Sequence, residues 1–109
     1  MTKPTYLGEL EQSVLWVVLR LAGDGYGASI LGELNTRVER EVSAGAVYAT
    51  LDRLESKGMI SSRLADPDPG RGGRRKRYME VTPAGEAALS RVRQEWMRVW
   101  EGLDVAHEL

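Results

Sequence analysis

The run Ser43-Ala44-Gly45-Ala46-Val47-Tyr48-Ala49-Thr50-Leu51-Asp52-Arg53-Leu54-Glu55-Ser56-Lys57-Gly58 constrains the fold of this chain more than any other segment. Ser43 suits a helix N-cap, because its hydroxyl can accept from a backbone amide two or three residues on. Val47, Leu51 and Leu54 recur at helical spacing and make one buried edge. Ala44, Gly45, Tyr48, Ala49 and Asp52 then face outward, with Arg53 near the boundary. Gly58 is a natural stop. A helix with one apolar edge needs other elements to cover that edge. A helix with small residues on its outer N-terminal face can also approach another surface closely.

The rest of the chain supplies the cover. Leu7, Leu10, Val14, Val17 and Leu21 form one helical stripe, and Leu15, Trp16, Val18 and Leu19 fill much of the remaining circumference. This first helix is apolar nearly all round and is expected at the centre, touching its own domain and a second subunit. Gly23-Asp24-Gly25 ends it. A second helix is predicted over residues 26–39, with Ile30, Leu31 and Leu34 as its core edge, and with Gly27 and Gly32 permitting close helix crossing. Residues 59–64 and 76–81 read as two short strands joined by a Pro/Gly-rich loop. Thr82 caps a last helix that has Pro83 in its first turn. On that helix Leu89, Val92, Trp96, Val99 and Leu103 form an a/d seam. The predicted class is mainly α with a small β-hairpin (α+β). Residues 1–82 form the compact domain, and residues 83–109 form a C-terminal dimerisation helix within the same unit.

Charge is polarised along the chain. The net charge is −1, yet residues 71–77 hold Arg71, Arg74, Arg75, Lys76 and Arg77 with no acid. Residues 80–109 hold six acids against three arginines. A nucleic-acid face needs only local positive potential. With no cysteine, the chain excludes disulfides and thiolate metal sites. No apolar run approaches the roughly 20 residues needed to span a membrane, so a cytoplasmic protein is expected. The chain has one histidine, His107, and no Gly-x-Ser-x-Gly. We therefore expect no enzyme, no metal and no cofactor.

A capped helix with a small-residue face, followed by a basic finger, is the layout of a winged helix-turn-helix DNA reader. The small residues Ala44, Gly45 and Ala49 would let the backbone near base edges. Tyr48 can donate its hydroxyl, and Ser43 can face a phosphate at the helix N-terminus. Arg53 and Arg71 join the expected DNA-binding set. Arg74, Arg75 and Lys76 are phosphate contacts, whereas Arg77 falls in phase with the core-facing Met79 and Val81. A twofold dimer would set two reading helices about 34 Å apart on a pseudo-palindromic operator. Its seam is assigned to Leu7, Leu10, Val14, Leu89, Val92, Trp96, Val99, Trp100 and Leu103. Trp96 and Trp100 either sandwich a small planar hydrophobic effector or simply pack the seam. A protein-interaction module, whose last helix docks a heterologous partner, is the alternative.

These residues together resemble the PadR family of winged-helix transcriptional regulators, in its short form with one C-terminal helix. The resemblance rests on Leu7-Gly8-Glu9-Leu10-Glu11, Tyr26-Gly27, Gly45 through Gly58, Gly72-Gly73-Arg74-Arg75-Lys76-Arg77-Tyr78 and Val81-Thr82-Pro83-Ala84-Gly85. It implies a homodimeric repressor, often released by a small molecule, with Tyr48 and its neighbours meeting DNA and the arginines on the wing. In some short members a tryptophan of the last helix lines a drug pocket at the dimer interface, and Trp96 is similar in position. Where many relatives carry proline after the tyrosine, this chain has Ala49.

Overall fold

The structure is a computed structural model that describes residues 6–39, 41–65 and 76–103. In chain order the elements are α1 (Glu9–Arg20), β1 (Gly25–Tyr26), α2 (Gly27–Arg37), α3 (Ala44–Ser56), β2 (Ile60–Leu64), β3 (Arg77–Val81) and α4 (Pro83–Val99). The strands form one antiparallel sheet in the order β1-β3-β2.

Each helix start has a local chemical cause. In α1 the Gly8 amide donates to Glu11 Oε1 at 2.9 Å, which satisfies an amide the helix itself leaves unpaired. The Tyr26 amide donates to Ser29 Oγ at 3.0 Å and opens α2. Ser43 Oγ accepts from the Ala46 amide at 3.2 Å and opens α3, as its sequence position implied. Thr82 Oγ1 accepts from the Gly85 amide at 3.1 Å, with Pro83 in the first turn of α4.

α1 is the hub, packing on α2, α3, β3 and α4. Val14, Leu15, Val17 and Val18 are buried there. They meet Ile30 and Leu34 of α2, Val47, Leu51 and Leu54 of α3, Met79 and Val81 of β3, and Leu89 of α4 in one core cluster. Burying each such side chain stabilises the fold by about 1.5–3 kcal/mol before chain entropy is counted. α4 docks through a glycine: a Cβ at Gly85 would run into the Met59 carbonyl oxygen and lie 2.8 Å from Val81 Cγ1. Thr82 Oγ1 also donates to the Gly58 carbonyl at 2.6 Å, tying the α4 start to the α3 end.

The structure corrects several sequence expectations. Tyr26 is not helical, because it pairs with Tyr78 as half of β1, so the hairpin is a three-stranded sheet. The second helix covers Gly27–Arg37 rather than 26–39. Val38 already has extended backbone there, with φ −104° and ψ 148°. Gly27 does permit a close approach, whereas a Cβ on Gly32 would meet nothing within 4 Å. α4 stops at Val99, and Leu103 lies past it, beyond Gly102 at φ +82°. Val14 and Leu89 are fully enclosed by their own protomer, so they cannot lie on a seam with a second copy.

Candidate nucleic-acid interface

The turn between α2 and α3 is fixed by one side chain. Asn35 Nδ2 donates to the Val42 carbonyl at 3.0 Å, and Asn35 Oδ1 accepts from the Val42 amide at 2.8 Å. This two-point clamp sets the angle at which α3 leaves α2. Sequence patterning missed Asn35, since an asparagine near a helix end reads as an ordinary polar residue. At the other end of α3, Lys57 Nζ donates to Glu11 Oε2 at 2.6 Å and anchors the helix to the first turn of α1. Burial pushes the Glu11 carboxyl up. The Lys57 hydrogen bond, the Gly8 amide and the charges of Lys57 and Arg53 outweigh it and hold the group below the usual carboxylate range.

Held in this way, α3 presents the face the sequence predicted. Ser43, Ala44, Gly45, Tyr48, Ala49, Asp52 and Arg53 are all exposed. A Cβ on Gly45 would meet open space, so among the described residues nothing crowds the helix at this position. Tyr48 is 49% exposed. Its ring lies directly against Gly27, at a spot where any Cβ would overlap it. Arg53 Nη2 donates to Thr50 Oγ1 at 3.0 Å, which lays the guanidinium along the helix.

The cations of the hairpin divide. Arg77 lies exposed along α3: its Nε donates to Ser62 Oγ at 2.9 Å, and its Nη2 pairs with Glu55 Oε1 of α3. Asp52 Oδ1 lies 3.8 Å from Arg77 Nη1. Arg77 was named among the DNA contacts, but two α3 carboxylates already meet its charge. Its core-side phase in the strand accounts for this. Lys76 points the other way, with its ammonium 4.3 Å from the Tyr26 ring centroid. Arg71, Arg74 and Arg75 lie outside the described residues, as does His107.

The second expected surface is only partly as predicted. Leu7 and Leu10 pack half-buried against the core, and Val92 is half-buried. Trp96, Val99, Trp100 and Leu103 are exposed, and so is Met97, which no pattern singled out. Gln12 and Trp16 of α1 with Val92, Trp96, Met97 and Trp100 of α4 line a groove of about 460 Å³. Trp16 also borders a second groove of about 470 Å³ with Val17, Leu34 and Val38. Sequence patterning placed Trp16 only on the filled circumference of α1, because periodicity does not tell which neighbour faces a given side. Among the described residues no group of three or more His, Cys, Asp or Glu is arranged to hold a metal. No described helix is long and apolar enough to cross a membrane.

Four helices packed with a three-stranded antiparallel sheet, the third helix laid bare along its N-terminal face, define a winged-helix protein of the DNA-binding regulator class. The family model described as "Transcriptional regulator PadR-like family" matches residues 14–91. The chain belongs to this family, which consists of transcriptional regulators and not of enzymes. It is 39% identical over 79 residues to the transcriptional regulator Rv3488 of Mycobacterium tuberculosis, covering 71% of this chain and 69% of that one. It is 33% identical over 103 residues to an uncharacterized protein of Lysinibacillus sphaericus, covering 93% and 90% of the two chains. A crystal structure of a PadR family transcription regulator from Clostridium difficile superposes with a TM-score of 0.73 at 26% identity, covering 86% of this chain and 93% of that one.

Proposed function

We propose that this protein is a dimeric, sequence-specific DNA-binding repressor that works in the cytoplasm. The observation that carries the reading is the open N-terminal face of α3, with Tyr48 at its centre and no other part of the described protomer over it. Ala44, Gly45, Ala49 and Tyr48 enter the major groove, and Ser43 meets a phosphate at the groove edge. Residues 1–82 read the duplex, and residues 83–109 pair the subunits. Exposed Trp96, Val99, Trp100 and Leu103 support the pairing, because a contiguous apolar patch on a small domain marks a partner surface. The aromatic groove between α1 and α4 supports release by a small planar hydrophobic effector held by Trp96 and Trp100, with Trp16 as its floor.

Selection from a random duplex pool, followed by sedimentation equilibrium, tests this. The expected product is an inverted repeat with half-sites about one helical turn apart, bound by two protomers. A pool that enriches nothing, or a protein that stays monomeric on and off DNA, overturns the proposal. Quenching of tryptophan fluorescence by a planar polycyclic dye, lost in Trp96→Ala, tests the effector groove separately.

A further inference from the structure

The groove of about 470 Å³ between α1 and α2 shares only Trp16 with the groove between α1 and α4. Helical spacing builds it: Ser13, Trp16, Val17 and Arg20 fall on one side of α1, and Leu34, Arg37 and Val38 on one side of α2. Its walls are mainly branched aliphatic carbon, from Val17, Leu19, Leu34 and Val38. Trp16 is 39% and Leu19 36% exposed, so apolar surface here is left open to water. The volume lies within the range that holds a small ligand.

Two half-exposed guanidinium groups stand at the rim. Arg37 Nε donates to Glu33 Oε1, and Arg20 Nε lies 3.5 Å from the same oxygen. The triad bridges the two walls, because Arg20 belongs to α1 and the other two residues to α2. Two cations share one carboxylate, which leaves positive charge in excess at the groove edge. A guanidinium carries five N–H donors, and Glu33 is reached through Nε in each case, so one carboxylate does not exhaust the fork. An aliphatic slot with excess positive charge at its rim matches a ligand with an alkyl body and an anionic head. The α1–α4 groove has a different character, since Trp16, Trp96 and Trp100 suit a flat ring.

We propose that the α1–α2 groove is a separate ligand site for a single-chain alkyl carboxylate, with the tail against Trp16, Leu19, Leu34 and Val38 and the head on Arg20 and Arg37. Glu33 competes with the ligand head for the two guanidinium groups and so sets the affinity. The site involves neither the exposed face of α3 nor the tryptophans of α4, and it stands whether or not the DNA-binding reading holds.

The test titrates the full chain with sodium octanoate and sodium decanoate below their micellar range, by calorimetry, and maps the site from methyl NMR shifts. Decanoate should bind about tenfold tighter than octanoate, since each buried methylene is worth roughly fourfold. The methyl groups of Leu19, Leu34 and Val38 should shift. Arg20→Gln and Arg37→Gln should each weaken decanoate binding roughly tenfold. Glu33→Gln should tighten it, because the competing carboxylate is gone. Decanol, which has no charge, should bind more weakly and respond to none of the three substitutions. Thermal melting of each variant shows that it is folded. Weaker decanoate binding in Glu33→Gln overturns the proposal, since the triad would then only splint the two helices. Decanol that binds as well as decanoate does the same, and so does cinnamate that binds more tightly. Shifts centred on the Met97 methyl place the ligand in the α1–α4 groove and overturn it too. No uptake by the wild type overturns it as well, the result expected if a second copy of the chain fills the groove.

Discussion

Lys57 and Glu11 lie 46 positions apart in the chain and meet at 2.6 Å, so that the C-terminal end of α3 is bolted to the first turn of α1. The carboxylate is largely buried, and the ammonium is about one-third exposed. The pair therefore connects the helix that carries the exposed Tyr48 face to the helix that carries Trp16.

The pair has a pH consequence. The Glu11 carboxyl sits below its unfolded value in the native protein, so the native state favours the charged form. Its stabilisation is fully present above the unfolded carboxylate range, near pH 4.5, and is lost as pH falls through the lower native value. Lys57→Met should weaken this dependence, leaving only the Gly8 amide and the Arg53 charge to favour the carboxylate, and cost roughly 1–3 kcal/mol at neutral pH, because a buried acceptor loses its donor. Urea unfolding of both proteins at neutral and acid pH checks it. Curves that stay parallel at every pH would contradict it.

Asn35→Ala should cost about 1–3 kcal/mol by leaving the Val42 amide and carbonyl without their partner. Duplex affinity should fall by more than the fraction unfolded explains, since the clamp sets the direction of α3. Titration of a selected duplex at a temperature where the variant is fully folded separates the two effects.

Gly27→Ala gives the opposite pattern. The new Cβ displaces the Tyr48 ring, whose far end can swing aside. Alanine also suits a helix better than glycine, by up to about 1 kcal/mol. The melting temperature should stay near that of wild type while duplex binding drops toward that of Tyr48→Ala. Wild-type affinity in Gly27→Ala would mean that the position of Tyr48 is irrelevant to the interface.

Gly85→Ala places a methyl group against the backbone carbonyl of Met59, which has no rotamer to retreat to. The expected loss is about 1–3 kcal/mol from overpacking at the α4 start. Calorimetric melting reads it directly. An unchanged melting temperature would show that α4 does not dock through this contact.

The Ser43 cap, the apolar edge Val47-Leu51-Leu54 and the Thr82-Pro83 start are local chemistry, and the structure contains each as patterned. The outward set on α3 follows from the same periodicity. Neither β1 nor the Asn35 clamp could be seen this way. A two-residue strand has no pattern of its own, and Tyr26 becomes extended only because Tyr78 is there to pair with. Leu89 and Trp96 likewise belong to one seam by spacing, yet Leu89 is buried and Trp96 is 58% exposed, because α4 runs off the edge of its own domain after Val92.

Hydrophobic period, capping residues and charge clustering were enough to place the four helices and the β2–β3 hairpin in order, because each acts over a few neighbouring residues. Tertiary structure alone decided which cations remain free and which face of each apolar helix stays open. Arg77 is neutralised by Glu55, 22 positions away, while Lys76 beside it is left on a tyrosine ring. Distances of that kind arise only when the chain has folded, since Coulomb and packing energies depend on separation in space and not along the sequence.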